Sequence, residues 1–492
     1  MPLVIAIDAG TTGVRSMAVN ESGVITGSSY REFTQHFPQP GWVEHDATEI
    51  WEAVKTTFNE LHASVFDEIV GIGITNQRET VVAWDRRSGA PLHRAIVWQD
   101  RRTAATCEQL TAAGHLPEVR RKTGLVLDPY FSGTKFGWLF NEGGVADTPD
   151  TLIGTIDSWI LWNLTGGTVH ATDPSNASRT MLFDIRTGAW DPYLCDLLGV
   201  PFHALPRVMP SSGRFGVTSH SCGIPEGLPI SGIAGDQQAA LFGQACVSPG
   251  MTKNTYGTGS FVLMNVGDTC PEPADGMLTT VAWQLGDGPL TYALEGAVFV
   301  TGATIQWLRD GLGILSSSAE TGPLASSVPD TGDVYLVPAF TGLGSPWWDP
   351  YARGTIVGLT RGTTRAHLTR AAVEAMAYQT RDAIEAMTAA SGRPVTALRV
   401  DGGASVMPLL LQFQADQLGV SVSRPRQPET TALGAAFLAG LAEGLWPSLD
   451  AVGNTWKLDV EVQPFPDRTV ADRLHARWLK AVAHSRAWAS PE

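Results

Sequence analysis

Leu3 to Ile7 is an unbroken apolar run that reads as a buried strand, and Arg15 to Val19 alternates polar and apolar positions as a second strand does. Between them lies Asp8-Ala9-Gly10-Thr11-Thr12-Gly13, a turn rich in glycine and threonine. A further turn at Asn20 to Gly23 leads into Val24 to Tyr30, so the chain opens as a meander of antiparallel strands. Residues 254 to 265, NTYGTGSFVLMN, repeat the design with a short strand, a Gly-Thr-Gly turn and an apolar strand. Two such hairpins predict a duplicated fold.

Ile72 to Thr75, Thr80 to Trp84 and Ala95 to Trp98 read as short strands, and Pro229 to Gln244 as a strand, a Gly-Asp corner and a helix. Residues 365 to 389 place Leu368, Ala372, Ala375, Met376, Ile384 and Met387 on a helical period that Gly392 and Pro394 stop. Leu398 to Val400, the corner Asp401-Gly402-Gly403-Ala404 and the stretch Met407 to Leu418 predict another strand, corner and helix, ended by Gly419. Ser248-Pro249-Gly250 punctuates the middle, which divides the chain into domains 1–249 and 250–492 with a cleft between them.

Composition narrows the class. The 492 residues exceed what one core of ~250–300 residues holds, in keeping with two domains. A net charge of −15 argues against nonspecific nucleic-acid or anionic-membrane binding, both of which need a basic face. No apolar run reaches the ~18 residues of a membrane span, and the N-terminus has no basic segment ahead of a secretory core, so a cytoplasmic location is expected. The 5 cysteines are scattered, with no Cys-x-x-Cys pair and no histidine at metal spacing, which points to idle thiols.

The 52 glycines gather in short loops, and those loops carry the candidate chemistry. A strand that feeds a Gly/Thr turn presents backbone N–H groups and hydroxyls at one point, as a phosphate-binding loop does; it also reads as an ordinary tight hairpin. Together the turns at 8–13 and 257–259 and the Asp401-Gly402-Gly403 corner favour a nucleotide site, without a Walker A or complete G-x-G-x-x-G pattern. Asp8 is placed to orient Mg²⁺ through water. Asp236, at a strand-to-helix corner, reads equally as a helix N-cap or as a carboxylate that accepts a hydroxyl proton. Arg78-Glu79 reads as a solvated pair or as a binder of adjacent polyol hydroxyls.

Taken together, GTT at 10–12, NQRET at 76–80, IVWQDRRT at 96–103, DPYFSGTK at 128–135, SNASRTMLF at 175–183, GIAGDQQAALFGQ at 232–244 and NTYGTG at 254–259 make the chain resemble the glycerol kinases of the FGGY carbohydrate kinase family. YALEGAVF, IQWLRD, PAFTGLGSPWWDPYARG, AYQTRD and TALGAAFLAGLAEG extend the resemblance over nearly the whole length. It implies an α/β fold of two RNase H-like domains, of the actin/hexokinase ATPase type, around a central cleft. It further implies ATP-dependent phosphorylation of glycerol to sn-glycerol 3-phosphate with Mg²⁺, in a homodimer or homotetramer. By the resemblance, Asp236 is the general base, and Arg78, Glu79, Tyr130 and Gln237 hold the glycerol hydroxyls with Trp98 and Phe261 as apolar wall. Thr11, Thr12, Gly13, Arg15, Thr258, Gly302, Gln306, Gly403 and Met407 fall at the ATP positions, and Asp8, through water, and Asp236 at the metal.

Departures from the family pattern carry expectations of their own. Ala9 stands where the family has Gln, and Met407 where it commonly has an Asn near the adenine, so the base contact becomes apolar. The segment 217–228, VTSHSCGIPEGL, lacks the Gly-Lys-Gly-Gly-Thr-Arg-like stretch by which some bacterial members bind fructose 1,6-bisphosphate, so weak or no inhibition by it is expected. His220 in that loop is a candidate for the phosphorylation some members undergo, on flanks that match poorly.

Overall fold

In the computed structural model, which describes residues 2–64 and 68–490, the first apolar run becomes an inner strand of a six-stranded sheet. Its strands in chain order are β1 (Leu3–Ala9), β2 (Gly13–Asn20), β3 (Ile25–Glu32), β4 (Ile69–Asn76), β5 (Ser212–Val217) and β6 (Pro229–Gly235). In space they run β5, β6, β4, β1, β2, β3. β1 is apolar without alternation because it lies between neighbours with both faces covered. Helix α1 (Ala47–Ser64) covers one face through Ile50, Val54, Phe58 and Leu61.

The second half repeats the plan. Its sheet holds β7 (Met251–Tyr256), β8 (Ser260–Gly267), β9 (Leu278–Gln284), β10 (Leu290–Val298), β11 (Ala397–Asp401), β12 (Val422–Pro425) and β13 (Leu458–Val462), ordered β9, β10, β8, β7, β11, β12, β13. Read from β5, the first sheet pairs antiparallel, parallel, parallel, antiparallel, antiparallel. The second, read from β13, follows the same sequence and then adds one antiparallel strand. The duplication expected from two hairpins therefore extends to whole sheets.

Both sheets end in glycine-shaped corners that start helices. Gly235 closes β6, and α2 (Asp236–Gly243) begins at once. α3 (Arg365–Ser391) backs the second sheet and stops at Gly392, whose φ of 64° is the left-handed cap. β11 leads through Gly402, at φ 84°, to α4 (Pro408–Leu418).

One helix from the second half lies on the first sheet. α5 (Thr430–Ala442) packs against β4, β6 and α2. A Cβ on Gly73 would stand 2.1 Å from the Ala435 carbonyl oxygen, and one on Gly434 only 1.8 Å from that of Ala239, so small residues are what let these elements meet. The apolar cluster there joins Val4, Ala6 and Met17 to Leu263 and Ala293 by way of Leu433 and Phe437. Among the described residues no helix is long and apolar enough to cross a membrane, and the cysteines are free thiols, four of them buried.

Candidate active site

Around Arg78, just beyond β4, the chain collects a cluster of buried charges. Arg78, Glu79, Arg179 and Glu295 are each at most 3% exposed. Arg78 donates to Glu295 at 2.6 Å, and Arg179 donates to Glu295 at 2.8 Å and to Glu79 at 2.7 Å. Arg78 Nε lies 3.7 Å from Glu79, which closes a ring of two guanidinium and two carboxylate groups. Burial penalises a carboxylate, yet Arg179 and Arg78 outweigh that penalty and hold Glu295 down at about 2. Glu79 sits at φ 62°, a left-handed backbone that this ring of contacts maintains.

The same guanidinium carries the polyol candidates. Arg78 donates to the Tyr130 hydroxyl at 3.3 Å and stands 3.2 Å from Asp236. Asp236 opens α2 as its first residue, with Gly235 rather than Asp236 at the N-cap position; its Oδ1 accepts from the Gln237 N–H at 2.7 Å and the side chain faces Arg78. Burial pushes its carboxyl up while Arg78 opposes the shift. Trp98 meets Tyr130 edge to face at 5.6 Å and donates through its indole to Thr11 Oγ1 at 3.0 Å, which ties the aromatic wall to the first hairpin. Phe261 stands on β8 in the cluster that joins the two sheets, in register with Thr255 and Ala297.

Two supports explain why these loops hold still. Asp100 accepts from Val43 N–H and pairs with Arg102, whose guanidinium lies 3.7 Å from the centre of the Trp42 ring; this fixes the loop that bears Trp98. Lys135, buried and pulled down to about 8 by burial, donates to the carbonyls of Pro129, Tyr130 and Phe131.

The nucleotide candidates fall into two groups. Thr258, Gly302, Gln306, Gly403 and Met407 line one cavity of about 660 Å³ in the second half, together with Ile305, Pro323, Val406 and Leu409. Its floor is the turn at 257–259: Gly302 N–H donates to Gly257 O and Ala303 N–H to Thr258 O. A Cβ on Gly302 would approach Gly257 O to 2.5 Å, so only glycine lets the helix start sit on this turn. A Cβ on Gly403 would meet nothing within 4 Å, which leaves its backbone open to the cavity. Thr11, Thr12, Gly13 and Arg15 belong to the first hairpin instead, where Thr12 is exposed and Arg15 pairs with Glu429 of the second half at 2.8 Å.

Asp8, at the end of β1, is pushed up to about 7 by burial and by the Asp236 carboxylate, against the pull of Arg15. Two carboxylates that repel each other at this spot suit a divalent cation held largely through water. No cluster of three or more metal-ligating side chains occurs among the described residues.

Glu295, Arg179, Gln238, Lys135 and Lys253 are the structural additions to the sequence-derived set. Gln238 accepts from Arg78 at 3.3 Å. Glu295 had a visible signal: it is a lone carboxylate in the otherwise uncharged strand LTYALEGAV. Arg179 lay in SNASRTMLF with nothing in that segment to name its partners.

The model of the FGGY family of carbohydrate kinases, N-terminal domain, matches residues 3–243, and that of the C-terminal domain matches residues 252–443. The glycerol kinase of Carboxydothermus hydrogenoformans is 54% identical over 99% of this chain and 98% of its own. That of Bordetella parapertussis is 52% identical over the same shares. The crystal structure of Plasmodium falciparum glycerol kinase with ADP superposes with a TM-score of 0.94 at 33% identity, covering 99% of this chain and 98% of that one. The chain therefore belongs to the FGGY family of carbohydrate kinases, and these relatives within it are glycerol kinases.

Proposed function

We propose that this protein transfers the γ-phosphoryl group of ATP to a terminal hydroxyl of glycerol, giving sn-glycerol 3-phosphate and ADP. The observation that carries the reading is the convergence of Glu79, Tyr130 and Asp236 on the buried guanidinium of Arg78. A small uncharged triol offers only hydroxyls and a short CH edge, so its recognition needs directed, charge-assisted hydrogen bonds beside an aromatic wall. Trp98 and Tyr130 supply that wall, and Phe261 is assigned to its far side. The whole-length relation to glycerol kinases supports the same substrate.

Asp236 acts as the base. As the hydroxyl oxygen bonds to the γ-phosphorus, its proton passes to the Asp236 carboxylate, the bond from phosphorus to the bridging oxygen breaks, and ADP leaves. A carboxyl raised by burial is a better proton acceptor than an ordinary one, and Arg78 opposes that shift in favour of the carboxylate. Thr11, Thr12, Gly13 and Arg15 take the phosphates from the first half, and Thr258, Gly302, Gln306, Gly403 and Met407 take the nucleotide from the second. Asp8, through water, and Asp236 would hold Mg²⁺, which when bound neutralises charge on the phosphate oxygens.

The test is ADP release with Mg²⁺ and ATP, with and without glycerol, beside tetritols, pentuloses and hexoses. Release with glycerol above all others is expected, and preference for a larger sugar overturns the substrate. Met407 leaves the base of the nucleotide among apolar contacts, so discrimination between ATP and GTP is expected to be weak. Met407→Asn adds a hydrogen-bonding group and is expected to raise that discrimination by about 2- to 10-fold in kcat/KM. An unchanged ratio removes Met407 from the base site.

A further inference from the structure

Lys253 lies in β7 with its side chain fully buried, and no role above uses it. Its ammonium donates to Gln237 Oε1 and, at 3.0 Å, to Thr255 Oγ1. Gln237 is the second residue of α2, on the corner that carries Asp236. Thr255 is in register with Asp401 and lies two residues before the Gly257–Gly259 turn. One side chain thus spans from the polyol corner of the first half to the nucleotide strand of the second. Burial pulls its ammonium down to about 8, against the nearby carboxylates of Asp401, Asp236 and Glu295 that favour the charge, with Arg78 adding to the lowering.

An ammonium has three donors and no acceptor. The atom of Gln237 that faces it is therefore the amide oxygen, and the NH2 group is turned away. We propose that Lys253 is a positioning residue for the polyol: by holding Gln237 Oε1 it presents Gln237 to substrate hydroxyls as a donor only. A hydroxyl that accepts from Gln237 keeps its own proton for a carboxylate, so Lys253 sets the direction in which hydrogen bonds run round the triol. An amide free to flip would also offer its oxygen and compete with Asp236 for the proton. This inference rests on the glycerol reading above.

A double-mutant cycle in the full-length protein tests it, with wild type, Lys253→Met, Gln237→Ala and the double variant measured for the KM of glycerol, the KM of ATP and kcat. Lys253→Met is expected to raise the glycerol KM by about 10-fold while the ATP KM moves by less than about 2-fold. In the Gln237→Ala background it is expected to add nothing to the glycerol KM, because it acts through that amide. Lys253→Arg, which keeps the donors, is expected to recover most of the glycerol affinity. Independent effects in the cycle, or an unchanged glycerol KM in folded Lys253→Met, overturn the proposal. Should Lys253→Met fail to fold, Gln237→Glu decides: it keeps a partner for the ammonium but removes the NH2, so the glycerol KM rises at an unreduced melting temperature, and an unchanged KM overturns the proposal. A wild type inactive on glycerol overturns the substrate reading before any variant is made, whereas an active wild type with additive variants overturns this inference alone.

Discussion

Asp236→Asn is expected to lower kcat by about 10²- to 10⁴-fold, the range that a positioned general base contributes. The substitution keeps the size of the side chain and an oxygen that can still accept from the Gln237 N–H, as Oδ1 now does at 2.7 Å. What it removes is the carboxylate charge, which takes the hydroxyl proton and, with Asp8, would hold Mg²⁺. The binding of nucleotide is expected to change by less than about 3-fold, since the cavity lined by Thr258, Gly302, Gln306, Gly403 and Met407 does not include Asp236. Steady-state turnover together with a direct ATP titration separates the two effects. A variant that turns over at a comparable rate takes the base role away from Asp236, and one that loses both turnover and ATP binding shows a structural role instead.

Glu295→Gln is expected to act on stability and on the polyol site together. Glu295 is the carboxylate shared by Arg78 at 2.6 Å and Arg179 at 2.8 Å, and all three are buried. Removing one partner from such a network leaves guanidinium charge uncompensated, at a cost of about 3–5 kcal/mol. Because Arg78 is also the residue that faces Tyr130 and Asp236, its release is expected to raise the glycerol KM by at least about 10-fold. Denaturant melts and steady-state kinetics measure the two effects.

The same variant predicts a pH dependence. Glu295 is held at about 2 against an ordinary value of 4.5, so in that range the unfolded chain binds a proton that the folded protein does not. The stabilisation from Glu295 is therefore complete above about 4.5 and is lost as the pH falls towards 2. The stability gap between wild type and Glu295→Gln is expected to be full at neutral pH and to close in that acid window. A gap that is constant down to pH 3 argues that the ring is not what stabilises this corner.

Much of the molecule was legible in the chain because it depends on local chemistry. The run Leu3 to Ile7, the two Gly/Thr turns, the strand and helix on either side of Gly235-Asp236, and the long helix ended by Gly392 follow from hydrophobic period and from glycine's freedom at positive φ. The repeat of one hairpin at residue 8 and again at residue 257 foretold that the two sheets would share a pairing pattern. Family resemblance, rather than period or spacing, supplied the names of the residues at the site.

Only the tertiary structure decided which charges meet. Arg78 and Glu295 are 217 residues apart, Arg179 and Glu295 are 116 apart, and Lys253 reaches Gln237 across the two halves. Charge pairing over such separations leaves no periodic trace in a sequence, because it depends on strands brought side by side by folding and on the loss of water around them. The placement of α5 on the first sheet has the same character, since its small residues fit Gly73 and Ala239 only once both are folded. The sequence by itself determined where the chain turns, which segments form sheets and helices, and where the glycine-rich corners fall. Folding determined which guanidinium each carboxylate faces, and so which side chains are held in place at the candidate site, because burial makes those pairings strong and the exclusion of water makes them selective.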